Sequence, residues 1–284
     1  MLSTARGTFL TIDRGLSMSV ITISRGSFSG GRMLAQCLSA ALGYRCVDRE
    51  VILERAAANG VSQQDLRDAI EKAPTFLERL KHKKYLYLAL LEAALAEEVR
   101  TGDVVYHGNA GHLLLRGGPP VLRVRIIAPL ESRLKMAQDR LRLTRAEAEE
   151  HIGRMDQERM KWARYLYGVD WGDPALYDVV VNLESMNICE TCQGLATLAR
   201  QQCFEFTKER RSEMEDLLLA SRVKVSLAFD EATSYLEFEV SSKDGAVAIR
   251  GPLSTMRELS EVRRVAAAVE GVRELNLEEL ALPI

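Results

Sequence analysis

No segment of the 284-residue chain is apolar for long enough to cross a bilayer, so no transmembrane anchor is expected. An excess of one charge is missing too. The 38 Lys and Arg nearly balance 40 Asp and Glu, leaving a formal net charge of −2. Bulk electrostatic binding of nucleic acid is therefore not expected, and an anion site has to be a local basic cleft. The five cysteines, Cys37, Cys46, Cys189, Cys192 and Cys203, are odd in number, and no secretory signal is recognisable. Reduced thiols and a cytoplasmic location are the expectation. Cys189 and Cys192 form a lone C-x-x-C with neither a second pair nor a histidine at ligand spacing, so they read as a helix face rather than a zinc site. Internal repeats and low-complexity tracts are absent as well.

What is there is an ordinary globular composition, 47% hydrophobic and 27% charged, on a chain long enough for two domains. Residues 1–17 carry Arg6, Arg14 and an apolar patch too short and interrupted for a signal peptide. They read as an N-terminal extension, with Met18 as an alternative start. Short apolar runs without alternation then mark strands buried on both faces: Ser19–Ser24, Tyr44–Val47, Asp103–His107, Val121–Ala128 and Asp178–Leu183. Helical patterns separate them: Met33–Leu42, a helix opened by Ser62 and Asp65, Tyr85–Thr101, Glu131–Leu141 after Pro129, and a helix from the Thr144/Glu147 capping box to about Tyr167, closed by Gly168. The alternation predicts an α/β fold, a parallel sheet of about five strands with helices on both faces.

Near residue 205 the pattern changes. Thr207–Glu215 is charge-dense and reads as a solvated helix. Val223–Phe229 and Tyr235–Val240 read as strands around an Asp230–Thr233 turn, and Asp244-Gly245 before Ala246–Arg250 as a hairpin. A helix capped by Thr255 and Glu258, stopped by Gly271, and a strand at Val272–Leu277 complete a small α+β module. The expected domains are 18–204 and 205–284.

The first strand runs into Gly26-Ser27-Phe28-Ser29-Gly30-Gly31-Arg32-Met33 and then a helix. Strand, glycine turn and helix start form a phosphate cradle: backbone N–H groups point inward, the helix dipole adds to them, and a cation stands beside the anion. Against the G-x-x-x-x-G-K-[ST] pattern, Gly26 and Gly31 hold the glycine spacing, Arg32 stands for Lys, and Met33 stands for the metal-binding hydroxyl. A plain βα turn is the other reading. Asp48, at the carboxyl end of the second strand, suits a Mg²⁺ or proton role, or an N-cap for the helix that follows. The His107–His112 segment ends the third strand with two glycines, which suggests backbone approach to a ligand. Seven arginines crowd residues 133–164. Arg154 and Arg159, with Asp156 between them, suit phosphate recognition, although Glu150/Arg154 and Asp156/Arg159 also fit a solvated helix.

These segments resemble the cytidylate kinase-like family of P-loop proteins. The likeness spans roughly residues 19–200 and rests on Ile21–Arg25 leading into Ser29-Gly30-Gly31-Arg32, Asp48-Arg49-Glu50-Val51, Val124–Glu131, Asp156–Arg159, Trp171-Gly172-Asp173-Pro174 and Leu176–Asn182. Relatives commonly carry Arg for the loop Lys. Phe28 stands where many have Gly, and Gly108-Asn109-Ala110 replaces an arginine–aspartate motif. The resemblance implies ATP-dependent phosphoryl transfer to CMP or dCMP. The loop 26–33 would hold ATP, and Ser29 or Asp48 would hold Mg²⁺. Asp48, Arg49, Arg55, His107 and Asn109 would sit on the acceptor side, and Arg154 and Arg159 on a lid. The alternatives are a nucleotide sensor without turnover, for which Phe28 and Met33 speak, and a kinase with a non-nucleotide acceptor. The C-terminal module is similar to a BON domain through Asp244–Gly251 and Glu270-Gly271-Val272, with its ligand or partner open.

Overall fold

The computed structural model describes residues 19–71, 81–108 and 110–281. The 1–17 extension, Met18 and Asn109 lie outside the described residues.

Five parallel strands form one sheet in the order β2-β3-β1-β4-β5. They are β1 (Val20–Arg25), β2 (Arg45–Asp48), β3 (Val104–His107), β4 (Leu122–Ile127) and β5 (Val179–Asn182). Each matches an expected run. The reason those runs do not alternate is visible in the packing. Val20, Val104 and Tyr106 enter one core with Leu53, Leu90 and Leu95, while Ile21, Ile23 and Val105 enter a second core with Leu34, Leu38 and Leu195. Both faces of the central strands are therefore dry.

The helices over these faces are α1 (Gly31–Leu42), α2 (Arg49–Ala57), α3 (Gln63–Glu71), α4 (Lys81–Val99), the single-turn α5 (Gly111–Leu114), α6 (Leu130–Leu141), α7 (Arg145–Tyr167) and α8 (Ile188–Ala199). The Thr144/Glu147 capping box forms as expected, and Gly168 closes α7 with φ 67°.

The C-terminal region departs from its sequence reading. Val223–Phe229 is not a strand but the last part of α9 (Lys208–Phe229). Its Val-Lys-Val-Ser-Leu alternation mimics a strand. The helix starting from the Thr207 cap instead places Leu219, Val223 and Leu227 on one buried face, at fourfold spacing. Thr207–Glu215 is likewise not wholly solvated, because Met214 is fully buried. Met214 and Leu218 join the first core while Leu219, Val223 and Leu227 join the C-terminal one, so α9 serves both. Lys224–Glu92, Arg222–Glu97 and the Tyr85 hydroxyl on the Phe238 carbonyl tie α9 and the following segment to α4.

The expected strand at Tyr235–Val240 begins later, as β6 (Glu239–Lys243), because the turn after α9 continues to Leu236. The hairpin to β7 (Ala246–Pro252) turns at Asp244 and Gly245, both at positive φ as a tight two-residue turn requires. Helix α10 (Met256–Ala267), with its Thr255/Glu258 capping box, leads to β8 (Glu274–Asn276) and β9 (Leu280–Ala281), both parallel to β7.

Candidate active site

The sheet register brings the predicted residues to one edge. Asp48 lies opposite His107 and His107 opposite Ile23, so β2 and β3 end level while β1 continues two residues further. Two residues past Ile23, Arg25 leads into the loop. Gly30 precedes α1 at φ 85° and supplies no side-chain cap, which leaves the first-turn N–H groups of a twelve-residue helix open to an anion. Gly31 is fixed by a close approach, since a Cβ there would run into the Arg25 side chain.

Two chambers flank the loop. One, about 160 Å³, is lined by Ser27, Phe28, Gly30, Gly31, Arg140 and His151. The other, about 190 Å³, lies at the strand edge and is lined by Asp48, Arg49, Glu50, His107 and Gly108. Arg25, Arg32, Met155 and Arg159 line both. This shared wall is strongly cationic. Burial lowers the Arg159 pKa to about 10, with Arg25 adding to the effect. Burial also lowers that of Arg25, with Arg49, Arg32 and Arg140 contributing. His107 is only 5% exposed, and burial, then Arg25, lowers its pKa to about 4. It is therefore a neutral imidazole at pH 7, able to donate or accept one hydrogen bond but not to supply charge. Among the described residues its Nδ1, the Ser27 hydroxyl and the Nε atoms of Arg25 and Arg159 have no partner.

Asp48 takes the N-cap position, with one carboxylate oxygen accepting from the N–H groups of Glu50 and Val51 at 3.0 and 3.2 Å. It also lines the strand-edge chamber, so the two sequence readings are compatible. Ser29 is buried, and its hydroxyl donates to the Gly26 carbonyl at 3.0 Å. It therefore buttresses the loop from inside. Met33 is 44% exposed. Gly108 and Gly111 are required by the buried Tyr106 side chain, which a Cβ at either would strike, and Gly108 also lines the strand-edge chamber.

The arginines divide. Arg159 lies 15% exposed against the loop, its Nη1 donating to the Arg25 carbonyl at 3.2 Å. Arg154 is exposed, beside His151, and lines neither chamber. Arg55 pairs with Glu98 and lines another cleft, between α2, α4, α9 and α10. Asp156 orients Arg133 of α6, which the sequence does not distinguish from the other arginines of residues 133–164. Arg25 and Arg140 were missed as site residues too. The position of Arg25 at the carboxyl end of β1, one residue before the loop, was the available signal.

Beneath the loop, the Trp171 indole donates to the Ser24 hydroxyl at 2.8 Å, and the Arg125 guanidinium lies 4.3 Å from the Trp171 ring centroid. The Tyr177 hydroxyl donates to the Trp171 carbonyl at 3.0 Å. The Trp171–Tyr177 segment is thus scaffolding that holds β1, β4 and β5 in line.

A parallel sheet with a glycine loop between β1 and α1, and buried arginines over it, defines a protein of the P-loop kind. The chain belongs to the cytidylate kinase-like family, whose model matches residues 20–185. It is 30% identical over 172 residues to the cytidylate kinase of Ignicoccus hospitalis, an alignment covering 60% of this chain and 92% of that one. It is 29% identical over 177 residues to the cytidylate kinase of Methanosarcina acetivorans, covering 60% and 91%. The crystal structure of an uncharacterized protein from Eubacterium ventriosum superposes with a TM-score of 0.52 at 16% identity, covering 65% of this chain and 99% of that one, which shows a shared fold.

Proposed function

We propose that the protein transfers a phosphoryl group from ATP to a nucleoside monophosphate, CMP or dCMP. The observation that carries this reading is the wall of Arg25, Arg32 and Arg159 common to two chambers. A transferring phosphoryl group passes between two anions, and catalysis consists of positioning both and stabilising the charge between them. Burial, then neighbouring arginines, lowers the guanidinium pKa of Arg159 and of Arg25, so this wall is under-neutralised and a polyanion supplies the missing charge. The relatives named cytidylate kinase support the same acceptor class.

In this reading the amides of residues 26–33 and the α1 N-terminus hold the ATP phosphates, with Arg32 in place of the usual Lys. Arg159 spans donor and acceptor from the α6–α7 hairpin, the lid that excludes water on closure, while Arg154 sits on the same hairpin but lines neither chamber. His107 and Arg49 face the acceptor. Among the described residues no group of three His, Cys, Asp or Glu is arranged for a metal, and of the residues lining the two chambers only Asp48 and Glu50 are carboxylates. Glu50 is engaged by Arg67 and Arg49. That donor set fits a Mg²⁺ held mainly by phosphate oxygens and water, with Asp48 as the protein carboxylate; Ser29, expected as the other ligand, is turned inward onto the Gly26 carbonyl and lines neither chamber. The metal's contribution when bound is to neutralise phosphate charge.

The working units are residues 18–204 and a BON-like module at 205–284, in the cytoplasm, with the module's ligand to be found. A coupled assay with ATP and a panel of monophosphates tests the reading. Turnover of CMP or dCMP supports it. Binding of ATP with no product from any acceptor favours a sensor, the reading for which Phe28 and the exposed Met33 speak.

A further inference from the structure

Phe28 sits in the loop with φ 59°, in the left-handed region where a bulky side chain settles only if its surroundings hold it. The hold comes from outside the loop. Its ring packs against Leu134 and Ala137 of α6 and Ala148 and Ile152 of α7, and tilts against His151 at 5.9 Å between centroids. The same two helices grip the preceding residue at both of its backbone groups. Arg133 Nε donates to the Ser27 carbonyl at 2.7 Å, and the Ser27 N–H donates to Asp156 Oδ1 at 3.3 Å. Arg133 Nη2 closes the ring by pairing with Asp156 Oδ2. The backbone bonds at Gly26 and Ser29, from the Gly26 N–H to Ile126 and from the Ser29 N–H to Gly26, are both 3.4 Å, longer than the Arg133–Ser27 bond and close to the Ser27–Asp156 one.

We propose that Phe28 and Asp156 are positioning residues that latch the loop to the α6–α7 hairpin, so that the loop keeps its anion-binding shape only while the hairpin is docked. In a glycine-rich loop the turn is adopted at little cost. Here a phenylalanine occupies it, and the hairpin stabilises what the backbone disfavours. Hairpin movement and triphosphate affinity are then one equilibrium. That consequence rests on the reading that the loop takes a triphosphate; the latch itself does not.

The test is hydrogen–deuterium exchange of peptides covering residues 24–32 in the ligand-free full chain, with calorimetric ATP affinity measured alongside. The proteins are wild type, Asp156→Asn, Phe28→Ala, the double variant and Phe28→Tyr, which keeps the ring. Each single loss is expected to speed loop exchange by about tenfold and weaken ATP by about tenfold, while exchange in β1, β3 and β4 stays unchanged. The double variant should be no worse than the poorer single, because both break one latch, and Phe28→Tyr should resemble wild type. Loop exchange unchanged in both single variants overturns the latch. So does Phe28→Ala if it alone retains wild-type exchange and affinity, since the strained loop would then hold its shape without the ring. Wild type that binds no ATP overturns the nucleotide reading alone, and the exchange data still decide the latch.

Discussion

Arg159 donates to the backbone carbonyl of Arg25 at 3.2 Å, so two residues with depressed guanidinium pKa values are held against each other at the junction of the two chambers. Asp156 Oδ1 lies 3.8 Å from the same Arg159 nitrogen, but Asp156 is also engaged by Arg133 and the Ser27 amide. Keeping Arg159 charged there costs folding energy, which an anion returns. Arg159→Met is therefore expected to leave the ligand-free protein about as stable as wild type, because Asp156 keeps Arg133 and the Ser27 amide as partners and a cation is removed from beside Arg25. Turnover should fall about 100-fold, the scale of losing one transition-state donor. Scanning fluorimetry with and without ATP reads both halves: wild type gains melting temperature with ligand, and the variant gains much less. A large ligand-free destabilisation would mean that the guanidinium is structural.

Arg32, by contrast, is exposed at the first turn of α1 and contacts little of the core. Arg32→Ala should fold normally and lose on the order of 100-fold in turnover. Steady-state kinetics that stay within about threefold of wild type would remove it from the site.

The difference between Arg159 and Arg154 also shows what the sequence left undecided. The two are five residues apart, about 140° around a helix, so only one can face the loop. Nothing in the spacing says which. The docking of α7 on α6 through Leu134, Ala137, Ala148 and Ile152 settles it. Elements fixed by local signals were legible: the five unalternating strands, the Thr144/Glu147 box, the Asp244-Gly245 turn. The Val223–Phe229 segment was not, because its alternation is true locally, and burial against the C-terminal core together with the long helix behind it outweighs that pattern. The need for glycine at position 108, set by Tyr106 two residues back on the preceding strand, has no signal in the sequence.

Acid should destabilise the protein before its carboxylates titrate. Burial, then Arg25, lowers His107 from the ordinary 6.5 to about 4, and burial, then Arg123, lowers His112 to about 4. The unfolded chain therefore binds more protons than the folded one between those values. The contribution of each neutral histidine is fully present above pH 6.5 and is lost as pH falls through 4. Chemical denaturation from pH 7 to 4 should show falling stability, and His107→Gln should flatten part of that slope. A profile identical to wild type would show that His107 is solvated in solution.

Arg55 and Arg45 both engage Glu98, a carboxylate only 5% exposed, whereas the two arginine side chains are about half exposed. Removing the carboxylate leaves cations that water can reach, while removing both cations strands a buried charge. Arg45→Ala with Arg55→Ala is expected to cost on the order of 3 kcal/mol, the scale of breaking a buried pair. Arg55→Ala alone should cost less, because Arg45 remains. Since Arg55 lines the cleft between α2 and α10 rather than the strand-edge chamber, its loss should leave the acceptor KM unchanged. A raised KM would return Arg55 to the acceptor side.

Asp48 combines two functions that substitutions can separate. One oxygen caps α2 through the Glu50 and Val51 N–H groups. The negative charge is what a Mg²⁺–phosphate complex or a substrate hydroxyl would use. Asparagine caps as well as aspartate, and alanine does not. Asp48→Asn should therefore keep wild-type stability and lose turnover, with its Mg²⁺ dependence shifted to higher concentration. Asp48→Ala should lose about 1 kcal/mol of stability in addition. If Asp48→Asn turns over normally while only Asp48→Ala suffers, the carboxylate is a helix cap and nothing more, and the proton acceptor and metal ligands of the acceptor chamber come from the substrates.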